Sequence, residues 1–227
     1  MKYIKNVENA ADAVKQAYDV LYYIKPLGSM KIITTTRYTA IDLGLPSGLK
    51  WANMNIGATK ETDYGLYFQW GETVGYADAS HSNIDTYLGG GLDHDSLAAW
   101  DSENLLNGIL KPEVDAATVN MGSKWRMPTN EDCVELLSNT NYEYTEINGV
   151  KGGKFINKND SSKYIFLPFA GLAAEGSFED QGIGGNIWSS SVYSDSPVNA
   201  YGVGTVESGY GGIVGIRYYA LSVRGVC

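Results

Sequence analysis

The chain has 227 residues, 44% of them hydrophobic and 19% charged, which is enough for one large domain or two small ones with real cores. Its net charge of −9 and its lack of clustered cations exclude a binder of nucleic-acid backbone. No apolar run approaches the length of a membrane span, and a 12% aromatic content excludes disorder. The acidity is concentrated: residues 61–115 hold eleven acids and a single base, Lys111. In the opening residues, Glu8 and Asp12 stand where a secretory signal needs an uninterrupted apolar stretch, so none is expected.

The first 25 residues read as a helix. Val7, Val14 and Leu21 recur at seven-residue spacing, and Ala10, Ala17 and Ile24 follow each by three, the seam of a short coiled coil. Pro26 and Gly28 stop it. With Ala at two seam positions it will not hold together alone, so it serves either as an amphipathic helix lying on a domain or as an oligomerisation or docking helix. A Thr-rich extended connector completes an N-terminal segment, 1–37, and a second domain is expected over 38–227.

From Tyr38 the texture changes to short apolar runs separated by Gly, Ser, Asn and Pro, the mark of short strands and long loops. Leu45-Pro46-Ser47-Gly48 reads as a turn. The stretch 76–110 is loop-rich with one short helix over Ser96–Leu106. Thr129 and Asp132 form an acidic capping box opening a helix whose apolar face is marked by Val134 and Leu137, with Cys133 and Leu136 beside it. Asn148-Gly149 predicts a hairpin. Strands are expected over 163–169, 186–194, 198–207 and 213–224. In the last, Tyr219, Leu221 and Val223 alternate with Ala220, Ser222 and Arg224, which predicts one buried face.

Motifs of catalysis are absent from the sequence. Gly182-Ile183-Gly184 and Gly209-Tyr210-Gly211 lack the third glycine of a dinucleotide loop, and there is no nucleophile elbow or paired-histidine zinc motif. His81 and His94 read as polar loop residues. Asp93, Asp95, Asp101 and Glu103 have the chemistry to hold a hard cation but not the spacing of a calcium loop, so a solvated acidic face is the better account. No catalytic residue, cofactor or metal is therefore expected. What rises above background is the Tyr-, Ser-, Gly- and Asn-rich C-terminal stretch, the mixture that binding loops use. Trp188 and Tyr219 are expected in the core; Tyr193, Tyr201, Tyr210 and Tyr218 are expected outside.

Six segments resemble the Fibrobacter succinogenes major paralogous domain, in that family's order. They are AIDLGLPSGLKWANMNIGA (40–58), DYGLYFQWGET (63–73), DAATVNMGSKWRMPTNEDCVELL (115–137), YIFLPFAG (164–171), NIWSSSVY (186–193) and YYALSVRGV (218–226). The resemblance implies an α+β, C-type-lectin-like fold with short antiparallel strands and one or two helices. Arg126-Met127-Pro128-Thr129 also resembles the Arg-Leu-Pro-Thr segment of formylglycine-generating enzymes and of retroelement-diversified receptor-binding proteins. The enzymes' late cysteine pair is missing here, as are the Glu-Pro-Asn and Trp-Asn-Asp sugar motifs of calcium-dependent lectins. Those lectins join their first helix to the last strand by a disulfide; for Cys133 and Cys227 we expect two free thiols instead, given synthesis in a reducing compartment.

By analogy of fold, the expected function is that of a non-catalytic virion protein, a phage fibre or a capsid or tail decoration, that binds a host surface glycan or protein. The alternative is a bacterial surface or secreted carbohydrate-binding adhesion module. The expected partners are further copies of the chain, with a homotrimer favoured, and other virion proteins through the N-terminal segment. In this fold the ligand side is built by long loops and C-terminal strands, which makes Tyr193, Asp195, Asn199, Tyr201, Tyr210, Arg217 and Tyr218 the candidate ligand contacts. Trp51, Trp70 and Trp125 are expected in the core.

Overall fold

The computed structural model describes residues 38–85, 87–89 and 93–227. The N-terminal helix and its seam (Val7, Ala10, Val14, Ala17, Leu21 and Ile24) lie outside the described residues, as does most of the connector. What is described is α+β and loop-rich, mostly short strands with few helices.

In chain order come β1 (Ala40–Asp42), β2 (Lys50–Ala52) and β3 (Tyr67–Gln69), then α1 (His94–Asn104), β4 (Leu105–Leu106) and β5 (Ile109–Leu110). Two helices follow, α2 (Ala116–Met121) and α3 (Asn130–Asn139). The rest is strand: β6 (Thr140–Ile147), β7 (Val150–Asn157), β8 (Tyr164–Pro168), β9 (Leu172–Ala174), β10 (Ser177–Glu179), β11 (Gly184–Val192), β12 (Asn199–Val206), β13 (Gly209–Ile216) and β14 (Ala220–Ser222). The large sheet runs β10-β9-β14-β11-β12-β13, with β3 and β5 attached at β14 and β11; β6-β7-β8 form a separate meander. Within the large sheet β13 is an end strand, paired residue for residue with β12 from Asn199–Ile216 to Val206–Gly209.

Local chemistry explains the elements. Asn148 and Gly149 both take positive φ, 51° and 81°, so the β6–β7 hairpin closes through the tight turn that such a pair favours. The capping box of α3 is present, Thr129 accepting from the Asp132 amide while the Asp132 carboxylate accepts from the Thr129 amide. The β1–β2 turn closes through the Gly48 N–H to Leu45 O, and Glu135 of α3 accepts from both the amide and the hydroxyl of Ser47. Asp115 caps α2 through Thr118 N–H and also accepts from Met127 N–H, tying that helix to the segment leading into α3.

Three tryptophan-bearing segments lock one another. Trp70 donates its indole N–H to Ser189 O, and Trp188 donates to Phe68 O. The pairing of β11 with β12 shifts register between Trp188 and Val192, a bulge made of three serines. Ser190 N–H reaches Pro128 O, and Ser191 Oγ accepts the Asn130 amide at the start of α3. Trp51, Trp70, Trp125 and Trp188 are at most 2% exposed, as expected of core residues. Cys133 is buried, Cys227 is exposed, and both thiols are free. Burial pushes the Cys133 thiol up, away from reactivity.

Four expectations need correction. The region 213–224 is not one strand: β13 ends at Ile216 and β14 starts at Ala220, because a turn closed by Tyr219 N–H to Ile216 O redirects the chain. Nor is one face solvated. Both sets of alternating residues from Ala220 to Val226 are buried, since β14 lies inside the sheet between β9 and β11. Arg224 is 0% exposed and donates to Asn55 Oδ1, Ala52 O and Phe166 O; burial lowers its pKa to about 9. On α3 the inward face is Cys133 and Leu136, while Val134 is 53% exposed. The helix expected over Ser96–Leu106 runs from His94 to Asn104, started by Asp93 as N-cap, and α2 was not foreseen.

Truncating Trp51 to Ala empties a site packed by Leu43, Cys133, Leu136 and Val226. Its removal should cost about 3–5 kcal/mol in denaturant unfolding, the range for a buried aromatic.

Candidate functional site

The residues proposed from sequence separate into a surface group, a buried group and an outlier. Tyr193, Asp195, Asn199 and Tyr201 stay together. Between β11 and β12 the chain turns through Ser194–Val198, closed by Tyr193 N–H to Asn199 O and Asn199 N–H to Ser196 O. The Tyr193 ring meets the Tyr201 ring edge-on at 5.2 Å. Its hydroxyl donates to Asp195 Oδ2 at 3.1 Å, and Ser194 Oγ donates to the other carboxylate oxygen. That bond to a carboxylate raises the Tyr193 pKa. Asp195 is exposed and Tyr193, Asn199 and Tyr201 are half-buried, so two aromatic edges and a carboxylate reach solvent together.

Arg217 does not reach solvent. It is 0% exposed, with its guanidinium 4.3 Å from the Trp70 ring and 5.2 Å from the Trp100 ring. Nη2 meets Asp101 Oδ1 at 2.9 Å, Nη1 donates to Pro197 O at 2.8 Å and to Asp101 Oδ2 at 3.2 Å, and Nε donates to the Tyr87 hydroxyl at 3.1 Å. Tyr87 passes its own proton to Trp70 O, closing the network. Its acid is Asp101, three residues before the end of a helix whose carboxylates had been read as solvated. Tyr218 is also a correction, only 8% exposed, packed with Tyr87 and Leu97 and holding Gln69 through its backbone carbonyl. Burial raises its pKa to about 12.

Tyr210 lies at the other end of the β12–β13 hairpin. It is 42% exposed, yet its ring rests against Tyr142 at 4.6 Å and Phe155 at 5.5 Å, and its hydroxyl reaches Leu137 O. It does not join the Tyr193 group.

Tyr87, Trp100 and the pairing of Asp101 with Arg217 beside Trp70 are what sequence reasoning missed. The only signal for them was an Arg-Tyr-Tyr run late in the chain and an acidic helix carrying a Trp, with nothing to pair the two. Elsewhere, Ser80 donates to Asp78 and lies 2.9 Å from His81 Nδ1, with His81 stacked on Tyr76 at 3.6 Å. Here the carboxylate takes the serine proton in an exposed turn instead of orienting the histidine, so the three do not form a charge-relay arrangement. Among the described residues no three His, Cys, Asp or Glu side chains converge as a cation would require. Asp93 is spent on capping α1 and Asp101 on Arg217.

No protein-family model, curated protein or solved structure matches this chain.

The arrangement as a whole positions a surface. Arg217→Met would leave the Asp101 carboxylate beside two indoles without a counter-charge, at a cost of about 3–5 kcal/mol. Asp101→Asn should cost a similar amount, and the double variant clearly less than the sum, which a double-mutant cycle of unfolding free energies checks.

Proposed function

We propose that this chain is a non-catalytic receptor-binding protein, a C-type-lectin-like domain belonging to a virion fibre or decoration, that attaches to a host surface glycan or protein. The N-terminal segment joins copies of the chain, in this reading a trimer, and connects them to other virion proteins. The six family-like segments support the fold, because they are the ones that interlock: Trp70, Trp188 and Pro128 each sit in a different segment and bond to one another's neighbours.

One observation carries the binding role. Tyr193 and Asp195 flank and form a turn that Tyr201 of β12 packs against, and a fully buried arginine holds that turn through Pro197 O and through Val198 O, which accepts the Arg217 amide. A turn held from beneath loses little entropy on binding, and tyrosines offer flat contact area with few rotors. The surface is suited to a polar, hydroxyl-rich or peptide-like partner: aromatic edges for stacking, a carboxylate to accept.

The test is attachment of the tagged protein to a panel of intact bacteria. Replacing Tyr193 and Tyr201 together by Ala should leave the melting temperature within a few degrees and reduce attachment by roughly thirtyfold or more, the scale of an aromatic hot spot. Attachment at wild-type strength by a folded double variant would refute this surface.

A further inference from the structure

The two ends of the large sheet differ. At one end β10 is three residues long, is exposed throughout and closes on Glu179, with Asp180 next in the chain. Short length and charge are what keep an edge strand from pairing with another chain. At the other end β13 is eight residues long, Gly209–Ile216, and carries no charged residue and no proline. Its pairing with β12 runs without a bulge, and among the described residues no strand pairs with its outer edge. None of the usual guards of an edge is present on β13.

The register shows which groups stand at that edge. Val206 and Gly209 close the β12–β13 hairpin, and at its far end the Arg217 amide reaches Val198 O. Antiparallel bonds fall on alternate pairs, so Gly209, Gly211, Ile213 and Gly215 turn their N–H and C=O toward β12. Tyr210, Gly212 and Val214 turn theirs outward. The side chains of Tyr210 and Val214 share one face and are 42% and 47% exposed. That face is backed by α3: Val203, opposite Gly212, packs with Cys133 and Leu136, and the Tyr210 hydroxyl reaches Leu137 O. The outer edge therefore presents backbone donors and acceptors together with solvent-facing apolar side chains, on a rigid support.

We infer that β13 is a dimerisation edge, on which two copies of this chain pair their β13 strands antiparallel about a two-fold axis at Gly212. The three outward residues are symmetric about Gly212, and this is the one antiparallel register that sets all three against one another. Gly212 meets its own copy, and Tyr210 of each chain meets Val214 of the other, with two backbone bonds at each pair. Aromatic against β-branched is a favourable cross-strand pair, and it recurs on both sides of the axis. With no charge on either strand, nothing opposes the approach. The occupant is a second copy because the strand is its own complement, and because the large sheet has one unguarded end, so the assembly closes once two edges meet. A foreign peptide finds no charge on this strand by which to be selected. The inference goes beyond the receptor-binding reading and depends neither on it nor on the N-terminal segment.

Sedimentation equilibrium of the full-length protein, carried to roughly 100 μM, measures the number of chains per particle. That concentration lies above the Kd expected of a small but specific interface, which is in the micromolar range. The wild type should hold an even number of chains. Val214→Lys sets a charge against Tyr210 of the other copy and should halve the mass, with the far-UV circular dichroism of the wild type retained. In a Cys227→Ser background, mild oxidation should join Gly212→Cys chains in pairs, because only a residue on the axis meets its own copy at disulfide range. Glu207→Cys, on the exposed turn, lies far from its copy and should stay largely single. An odd number of chains per wild-type particle, an unchanged mass in Val214→Lys, or cross-linking of Glu207→Cys as efficient as that of Gly212→Cys overturns the inference.

Discussion

A fully buried guanidinium that lies against two indole rings, pairs with a carboxylate and donates three hydrogen bonds organises the candidate surface of this protein. Arg217 touches residues from four places in the chain: Trp70 after β3, Tyr87 in the acidic loops, Trp100 and Asp101 in α1, and Pro197 in the turn before β12. An isolated buried cation would be prohibitively costly. This one is tolerable because a carboxylate lies against it with both oxygens, two neutral oxygens take further N–H groups, and two indole rings lie beside it. Lysine offers neither the planar fork nor the stacking, so the site is specific to arginine. Such a network adds little net stability over an apolar core, and its consequence here is geometric: α1 and the 193–199 turn are held against the same side chain.

The second level of order is the interlock of tryptophan-bearing segments. Trp70 and Trp188 each bury a large ring and spend the indole proton on the other's strand, while the Ser189–Ser191 bulge turns polar groups toward Pro128 and the start of α3. These bonds explain why short, separated stretches such as Gln69-Trp70-Gly71-Glu72 and Trp125-Arg126-Met127-Pro128-Thr129 read as motifs. Each supplies half of a contact completed elsewhere. Trp51 differs, since its indole nitrogen has no acceptor among the described residues and its place rests on packing alone.

Elements governed by near neighbours were legible in the sequence. The α3 capping box, the Asn148-Gly149 hairpin, the Leu45–Gly48 turn and the burial of the tryptophans all follow from residues within a few positions or from large apolar area. What was not legible depended on distant partners. Alternation in Tyr219–Arg224 could not reveal that β14 is an interior strand covered on both faces, nor that Arg224 finds three acceptors far away in sequence. Arg217 looked like a ligand contact because arginine is seldom fully buried; its acid lies 116 positions earlier. Of the candidate contacts, the four joined by the short Tyr193–Tyr201 stretch remained together, while Tyr210, separated along β13, did not.

If Arg217 holds the binding turn in place, weakening it must loosen that turn before it loosens the fold. Hydrogen exchange of backbone amides in Arg217→Lys measures this most directly, since lysine retains the charge but not the fork. The amides of Ser196 and Asn199 should exchange markedly faster than in the wild type, while those of the β6–β8 meander keep their protection. Unchanged protection at Ser196 and Asn199, or an equal loss across both regions, would contradict the claim that this arginine positions the surface.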